Sequence, residues 1–225
     1  MESFYTLQGE GFHQGKAAYF IRLGGCDVGC VWCDVKESWN ADAHEKFTVD
    51  EIVKKAEESF KLEVINDKLN KKHNPKNTKL TTNGSQFTTY NLKPIIVITG
   101  GEPLLHNLNE LTKALQDAGF ETNLETSGSS PLSGKWNWIC VSPKKFKAPL
   151  PQILLLANEL KVIIFNESDF AWAEKYAAQV STNCKLYLQP EWSKKETVTP
   201  LIINYIKANS KWQLGLQIHK YINVP

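Results

Sequence analysis

The sequence lacks most features that would place it in a special class. Its formal net charge is only +2, from 26 Lys and Arg against 24 Asp and Glu, and no basic run stands out. That excludes a polyanion-binding tail and gives no reason to expect a nucleic-acid partner. No apolar run approaches the ~20 residues that span a bilayer, so no membrane partner is expected. The opening residues Met1-Glu2-Ser3 show no basic segment followed by an apolar core, and a cytoplasmic location is expected. The 225 residues hold no internal repeat and no interdomain linker, which predicts one domain over 1–225. Cysteine is scarce and odd in number, with five residues. An odd, clustered set argues against a disulfide scaffold and for reduced thiols used on a metal.

Three of those five cysteines, Cys26, Cys30 and Cys33, fall in one short loop with C-x3-C-x2-C spacing. Thiolates set this close can occupy three metal positions. Structural zinc wants four protein ligands, usually paired as C-x2-C or completed by histidine. No second pair exists, Cys140 and Cys184 sit far off in apolar stretches, and His13, His44, His73 and His106 share no spacing. An iron–sulfur cube usually takes four cysteines. Three would leave one iron open to a small molecule.

Along the chain, Ala17–Leu23 reads as a strand that runs into the cysteine loop. Thr48 and Glu51 form a capping box, opening a helix with Ile52, Val53, Ala56 and Phe60 on one face. Residues 61–92 turn polar, with Asn74-Pro75 and Asn83-Gly84 as turn signals, and read as a surface insertion, a hairpin or loop. Pro94–Thr99 is a strand apolar enough for burial on both faces. Further strands are expected at Glu121–Glu125, Trp138–Val141, Leu160–Phe165, Lys185–Leu188 and Leu214–Ile218. Helices are expected after Asn107, from Ser168 to Val180, and near Pro200–Ala208. Alternating strands and helices predict an α/β fold with its site at the carboxyl ends of parallel strands. About six parallel strands are too few for an eightfold barrel, so a partial barrel is expected.

At the end of the Pro94–Thr99 strand stands Gly100-Gly101-Glu102-Pro103. Together with the cysteine loop, it resembles the radical S-adenosylmethionine (SAM) enzymes. A longer set narrows the resemblance: Phe4 to Gly11, Arg22, Thr99, Ser142-Pro143-Lys144, Gln189-Pro190, and the tail His219 to Pro225. These resemble the 7-carboxy-7-deazaguanine synthase family. The resemblance implies a lyase that converts 6-carboxy-5,6,7,8-tetrahydropterin to 7-carboxy-7-deazaguanine with loss of ammonia, in queuosine and deazapurine biosynthesis. In such enzymes SAM chelates the open iron, and its one-electron cleavage yields a 5′-deoxyadenosyl radical that takes a substrate hydrogen.

Residue by residue, the resemblance implies a 4Fe-4S cluster on Cys26, Cys30 and Cys33. It implies pterin contacts from Leu7, Gln8, Gly9, Glu10, Arg22, Thr99 and Pro225. The planar fork of Arg22 suits a substrate carboxylate. SAM contacts are implied for Gly101, Glu102, Glu125, Thr126, Ser142, Pro143, Lys144, Gln189, Pro190, Glu191 and Trp192. The family often carries a hydroxyl residue after Cys-Asp that ligates Mg²⁺. Here Val35 follows Cys33-Asp34, and valine cannot ligate. A magnesium site would then rest on Asp34, a carbonyl or water. The resemblance further implies a homodimer and a flavodoxin- or ferredoxin-like electron donor. Two other readings of the residues are a glycyl-radical enzyme activating enzyme and a metal-stabilised binding module.

Overall fold

The computed structural model describes residues 2–31, 33, 35–72 and 94–225. Eight strands form one sheet in chain order: β1 (Glu2–Leu7), β2 (Ala17–Leu23), β3 (Ile95–Gly100), β4 (Glu121–Thr126), β5 (Trp138–Val141), β6 (Glu159–Ile164), β7 (Lys185–Pro190) and β8 (Trp212–Leu214). β1 runs antiparallel to β2, and every later neighbour pair is parallel. Among the described residues, six α-helices connect or follow the strands: α1 (Val49–Lys72), α2 (Asn109–Asp117), α3 (Pro151–Leu156), α4 (Ser168–Ala177), α5 (Lys195–Ala208) and α6 (Ile218–Ile222).

Strand alternation divides the sheet into two unlike faces. On one, Ile96, Ile98, Leu124, Val141, Leu160, Val162 and Leu188 meet Leu111 and Leu115 of α2, Ile153 and Leu154 of α3, Ala173 of α4 and Ile202 of α5. Each such fully buried aliphatic side chain contributes about 2 kcal/mol. On the other, a small cluster of Ala18, Ile95 and Val97 with Phe20 gives way to polar side chains. β3 is therefore buried on both sides, as its continuous apolar run predicts.

The sheet has seven parallel strands and one antiparallel strand, where the sequence suggested about six parallel ones. β1 escapes the pattern because its order comes from pairing with β2 over Glu2–Leu7, and five of its six residues are only half-buried or exposed with no clean alternation. The hairpin or loop conformation expected from 61 onward is corrected as far as Lys72, because α1 continues there. No Gly or Pro interrupts the chain between Val49 and Lys72, and Lys, Glu and Leu are strong helix formers. The rest of that expectation, 73–92, lies outside the described residues. The strand expected at Leu214–Ile218 is corrected too: β8 stops at Leu214 and Ile218 opens α6. α5 starts at Lys195 and carries Pro200 inside it.

The tail after β8 returns to the opposite edge of the sheet. Ile218 N donates to Gly9 O at 2.9 Å, and Thr6 Oγ1 donates to Pro225 O at 3.1 Å.

Candidate active site

β2 and β3 end side by side, with Arg22 opposite Thr99 and Leu23 opposite Gly100. The loops beyond them are stitched together. Gly101 N donates to Leu23 O at 3.0 Å, and Glu102 N donates to Gly25 O at 2.8 Å. Gly25 N and Cys26 N in turn donate to Ser38 O and Trp39 O, at 2.6 and 3.2 Å. Two glycines permit this seam. Gly100 takes φ 134°, and a Cβ on Gly101 would strike the Gly25 carbonyl and the Cys26 side chain. The glycine pair thus serves close approach between two loops before it serves approach to any ligand.

Glu102 is 1% exposed, and its carboxylate is saturated. Oε1 accepts from Leu104 N at 3.1 Å and Thr126 Oγ1 at 2.5 Å; Oε2 accepts from Ser127 N at 2.9 Å and Ser127 Oγ at 2.5 Å. The side chain locks the end of β3 to the end of β4. What this motif offers a ligand is main chain.

These loops roof a cavity of about 240 Å³ at the carboxyl ends of the parallel strands. The cysteine loop lends Cys26, Cys30 and Cys33; the β3 and β4 ends lend Thr99, Gly101, Glu102, Glu125 and Thr126. Ser142 and Lys144 follow β5, Gln189 and Pro190 end β7, and Glu191 and Trp192 follow it. Glu10, from the loop after β1, closes the floor. Trp192 is braced edge-to-face by Tyr221 at 5.2 Å, and Lys144 Nζ donates to Ser142 Oγ at 2.6 Å.

Other expected site residues stand elsewhere. Gln8 is one contact removed, its Nε2 donating to Glu125 Oε1 at 2.9 Å. Leu7 alternates with inward-facing Thr6, so only its main chain can face the cavity. Gly9 lies under the His219 ring, which fills the place of a Cβ. Pro143, Pro225 and Arg22 do not line the cavity; Arg22 forms an ion pair with Glu2 and covers the Phe4 ring at 5.2 Å. The Glu2 side chain is half-exposed, and such a pair contributes at most about 1 kcal/mol, so a carboxylate ligand can displace it. Asp34 lies outside the described residues, while Val35 lines the cavity.

Sequence reasoning overlooked Lys161, Ile163, Gln217, Val28 and Trp39, which also line the cavity. The signal for Lys161 was present: a lone cation inside an apolar strand, the same feature that drew attention to Arg22.

Among the described residues, no three His, Cys, Asp or Glu side chains are gathered closely enough to hold a single ion. A cluster is less demanding, since each of its irons takes its own thiolate. Burial pushes the Cys26 thiol up, against the backbone N–H groups of Val28 and Gly29, which face its sulfur. Burial also raises Cys30, against the pull of the Lys144 ammonium. N–H dipoles and a cation aimed at sulfur suit thiolates bound to iron. The donor set therefore fits the cluster.

A second unmet need lies across the cavity. Gln189 is 1% exposed, and its Oε1 has no hydrogen-bond partner among the described residues. A buried acceptor left open costs about 1–3 kcal/mol unless a ligand donor meets it.

No protein-family model matches the chain. Individual proteins do. A 7-carboxy-7-deazaguanine synthase from Flavobacterium psychrophilum is 47% identical over 225 residues, covering 100% of this chain and 91% of its own. One of the same name from Synechocystis is 44% identical over 223 residues, covering 99% and 91%. Another from Escherichia coli is 36% identical over 230 residues, covering 99% and 97%. The crystal structure of QueE from Escherichia coli superposes with a TM-score of 0.69 at 31% identity, covering 96% of this chain and 92% of that one. Identity at this level over nearly the full length, with the two motif loops joined at one cavity, places the chain in the 7-carboxy-7-deazaguanine synthase family.

Proposed function

We infer that this chain is a radical SAM lyase that turns 6-carboxy-5,6,7,8-tetrahydropterin into 7-carboxy-7-deazaguanine with loss of ammonia, in queuosine or related deazapurine biosynthesis. The observation that carries this reading is the opening of the cysteine loop, the Gly100-Gly101 main chain, the ends of β5 and β7, and Glu10 into one cavity. Membership of the family sets aside the activating-enzyme and binding-module readings.

When bound, a 4Fe-4S cluster and SAM supply the one-electron cleavage and the hydrogen abstraction that start the ring contraction. The chain's own part is to hold and orient. Cys26, Cys30 and Cys33 hold the cluster. The main chain of Gly101, with Thr126, Ser142, Lys144 and Gln189 around it, holds SAM, and the open Gln189 Oε1 accepts an N–H from it. Glu10, Gln8 and Thr99 hold the pterin from below, and Arg22 takes its carboxylate after releasing Glu2. Pro225 reaches the substrate only if the tail shifts from Thr6. Trp192 shields the cavity mouth from water.

The sheet is read as a partial barrel within a single domain. The tail supports this: the ten residues after Gly215 connect to Gly9 and Thr6 at the far edge, which a flat eight-stranded sheet would place out of reach. A homodimer, a cytoplasmic location and a flavodoxin- or ferredoxin-like donor complete the reading. Magnesium is read as mattering less than in relatives with a hydroxyl at this position, because the Val35 side chain cannot ligate.

Anaerobic iron reconstitution tests the assignment. The wild type should take up about four irons per chain and cleave SAM on reduction. Cys30→Ala should lose both; SAM cleavage retained in that variant contradicts the site.

A further inference from the structure

A buried charge cluster at the floor of the cavity belongs to neither motif loop. Lys161, on the inward face of β6, is 4% exposed. Its ammonium contacts Glu10 Oε2 and lies 3.1 Å from Glu125 Oε2. Gln8 Nε2 donates to the other Glu125 oxygen at 2.9 Å, and Gln217 Nε2 donates to the other Glu10 oxygen at 2.7 Å. Each carboxylate oxygen meets one donor and keeps capacity for a second. Two carboxylates against one ammonium leave an excess negative charge, which is costly when buried unless something completes it. Glu10, Glu125, Lys161 and Gln217 all line the cavity, so that completion can come from a ligand.

Among the described residues no second cation contacts either carboxylate. Cys140 on β5 and Glu159 on β6 add no positive charge, and burial pushes both up. Glu159 Oε2 is occupied by Phe12 N and Trp138 Nε1, each at 3.1 Å. Lys144 lies beyond β5 beside Ser142, and burial lowers both it and His219, which faces Glu10 from α6.

Resting on the pterin reading above, we propose that Lys161 is a positioning residue that holds the Glu10 and Glu125 carboxylates side by side as an acceptor edge for the N–H-rich side of the flat ring. The edge also sets orientation. A negatively charged floor repels the substrate's own carboxylate, which must point away from it. Lys161 touches no reacting atom; it acts through the two carboxylates. Without it they repel each other, one takes up a proton, and the acceptor edge is lost.

Anaerobic equilibrium titration of the cluster-loaded protein with the carboxy-tetrahydropterin tests this, from about pH 5 to 9, spanning the shift expected for paired carboxylates. The wild type should bind with nearly constant affinity. Lys161→Met should weaken binding by about tenfold or more, as loss of hydrogen bonds to charged groups does, and should add a new pH-dependent limb. Lys161→Arg should restore most of the affinity. A purely structural Lys161 would lower the melting temperature and leave the affinity and its pH profile untouched; that result overturns the inference. Should Lys161→Met fail to fold, Glu125→Gln decides, because it leaves a balanced Lys161–Glu10 pair. Pterin affinity lower by about tenfold supports the edge, and unchanged affinity refutes it. If the wild type binds no pterin, the function and this inference fall together; if only the variants are indifferent, this inference falls alone.

Discussion

The Glu102 carboxylate accepts hydrogen bonds from Leu104, Thr126 and Ser127 with no capacity left over. Glu102→Gln turns one acceptor into a donor that faces donors, and should cost about 2–3 kcal/mol of stability, read by denaturant unfolding. A variant as stable as the wild type would mean that the carboxylate faces a ligand instead. Val35 argues at the same scale. With no hydroxyl at this position, removing Mg²⁺ with a chelator should leave most of the turnover intact, and an absolute requirement would contradict that. The cysteine loop and Gly100-Gly101 were legible in the sequence because their spacing carries their chemistry. Lys161 was harder to read, since its meaning depends on Glu10 and Glu125, which are 151 and 36 residues away.

Among the elements, the start of α1 follows its sequence closely. Thr48 N donates to Glu51 Oε2 at 2.7 Å, and Glu51 N donates to Thr48 Oγ1 at 3.3 Å. Thr48→Ala should therefore lower stability by about 1 kcal/mol, seen as a lower melting temperature with cluster loading unchanged. β3 and β5 were readable because burial on one or both faces leaves an apolar run. β1 was not, because its hydrogen bonds are supplied by β2. α3 is six residues opened by Pro151, too short to show helical periodicity. α6 departs from the strand expected there because Ile218 N bonds to Gly9 rather than extending the β8 ladder. Deleting Ile218–Pro225 should abolish pterin turnover while iron uptake persists, because α6 braces the Gly9 loop and not the cysteine loop. Equal loss of both would show that the tail is needed for folding.

For the molecule as a whole, the floor cluster predicts how stability depends on pH. Burial alone would raise the Glu10 carboxyl; the charge and hydrogen bond of Lys161, with Gln217, outweigh it and bring the pKa from 4.5 to about 2. A depressed carboxyl stabilises the fold above its unfolded value, and that contribution is lost as pH falls from about 4.5 towards 2. Burial alone would lower Lys161, yet Glu10 and Glu125 hold it well above 10.5. Its contribution is complete below 10.5 and is lost only as pH rises through the folded value. The cluster's own contribution should thus stay level between these limbs, and Lys161→Met should lose the alkaline limb and soften the acid one. The α/β class was legible from strand–helix alternation. The return of the tail to β1 was not, because no local pattern encodes a contact across 219 residues. The most direct measurement of what this molecule does is anaerobic incubation of the reconstituted wild type with carboxy-tetrahydropterin, SAM and a reductant, followed by mass spectrometry. The account predicts 7-carboxy-7-deazaguanine formed together with ammonia; SAM cleaved with the pterin left unchanged would contradict it.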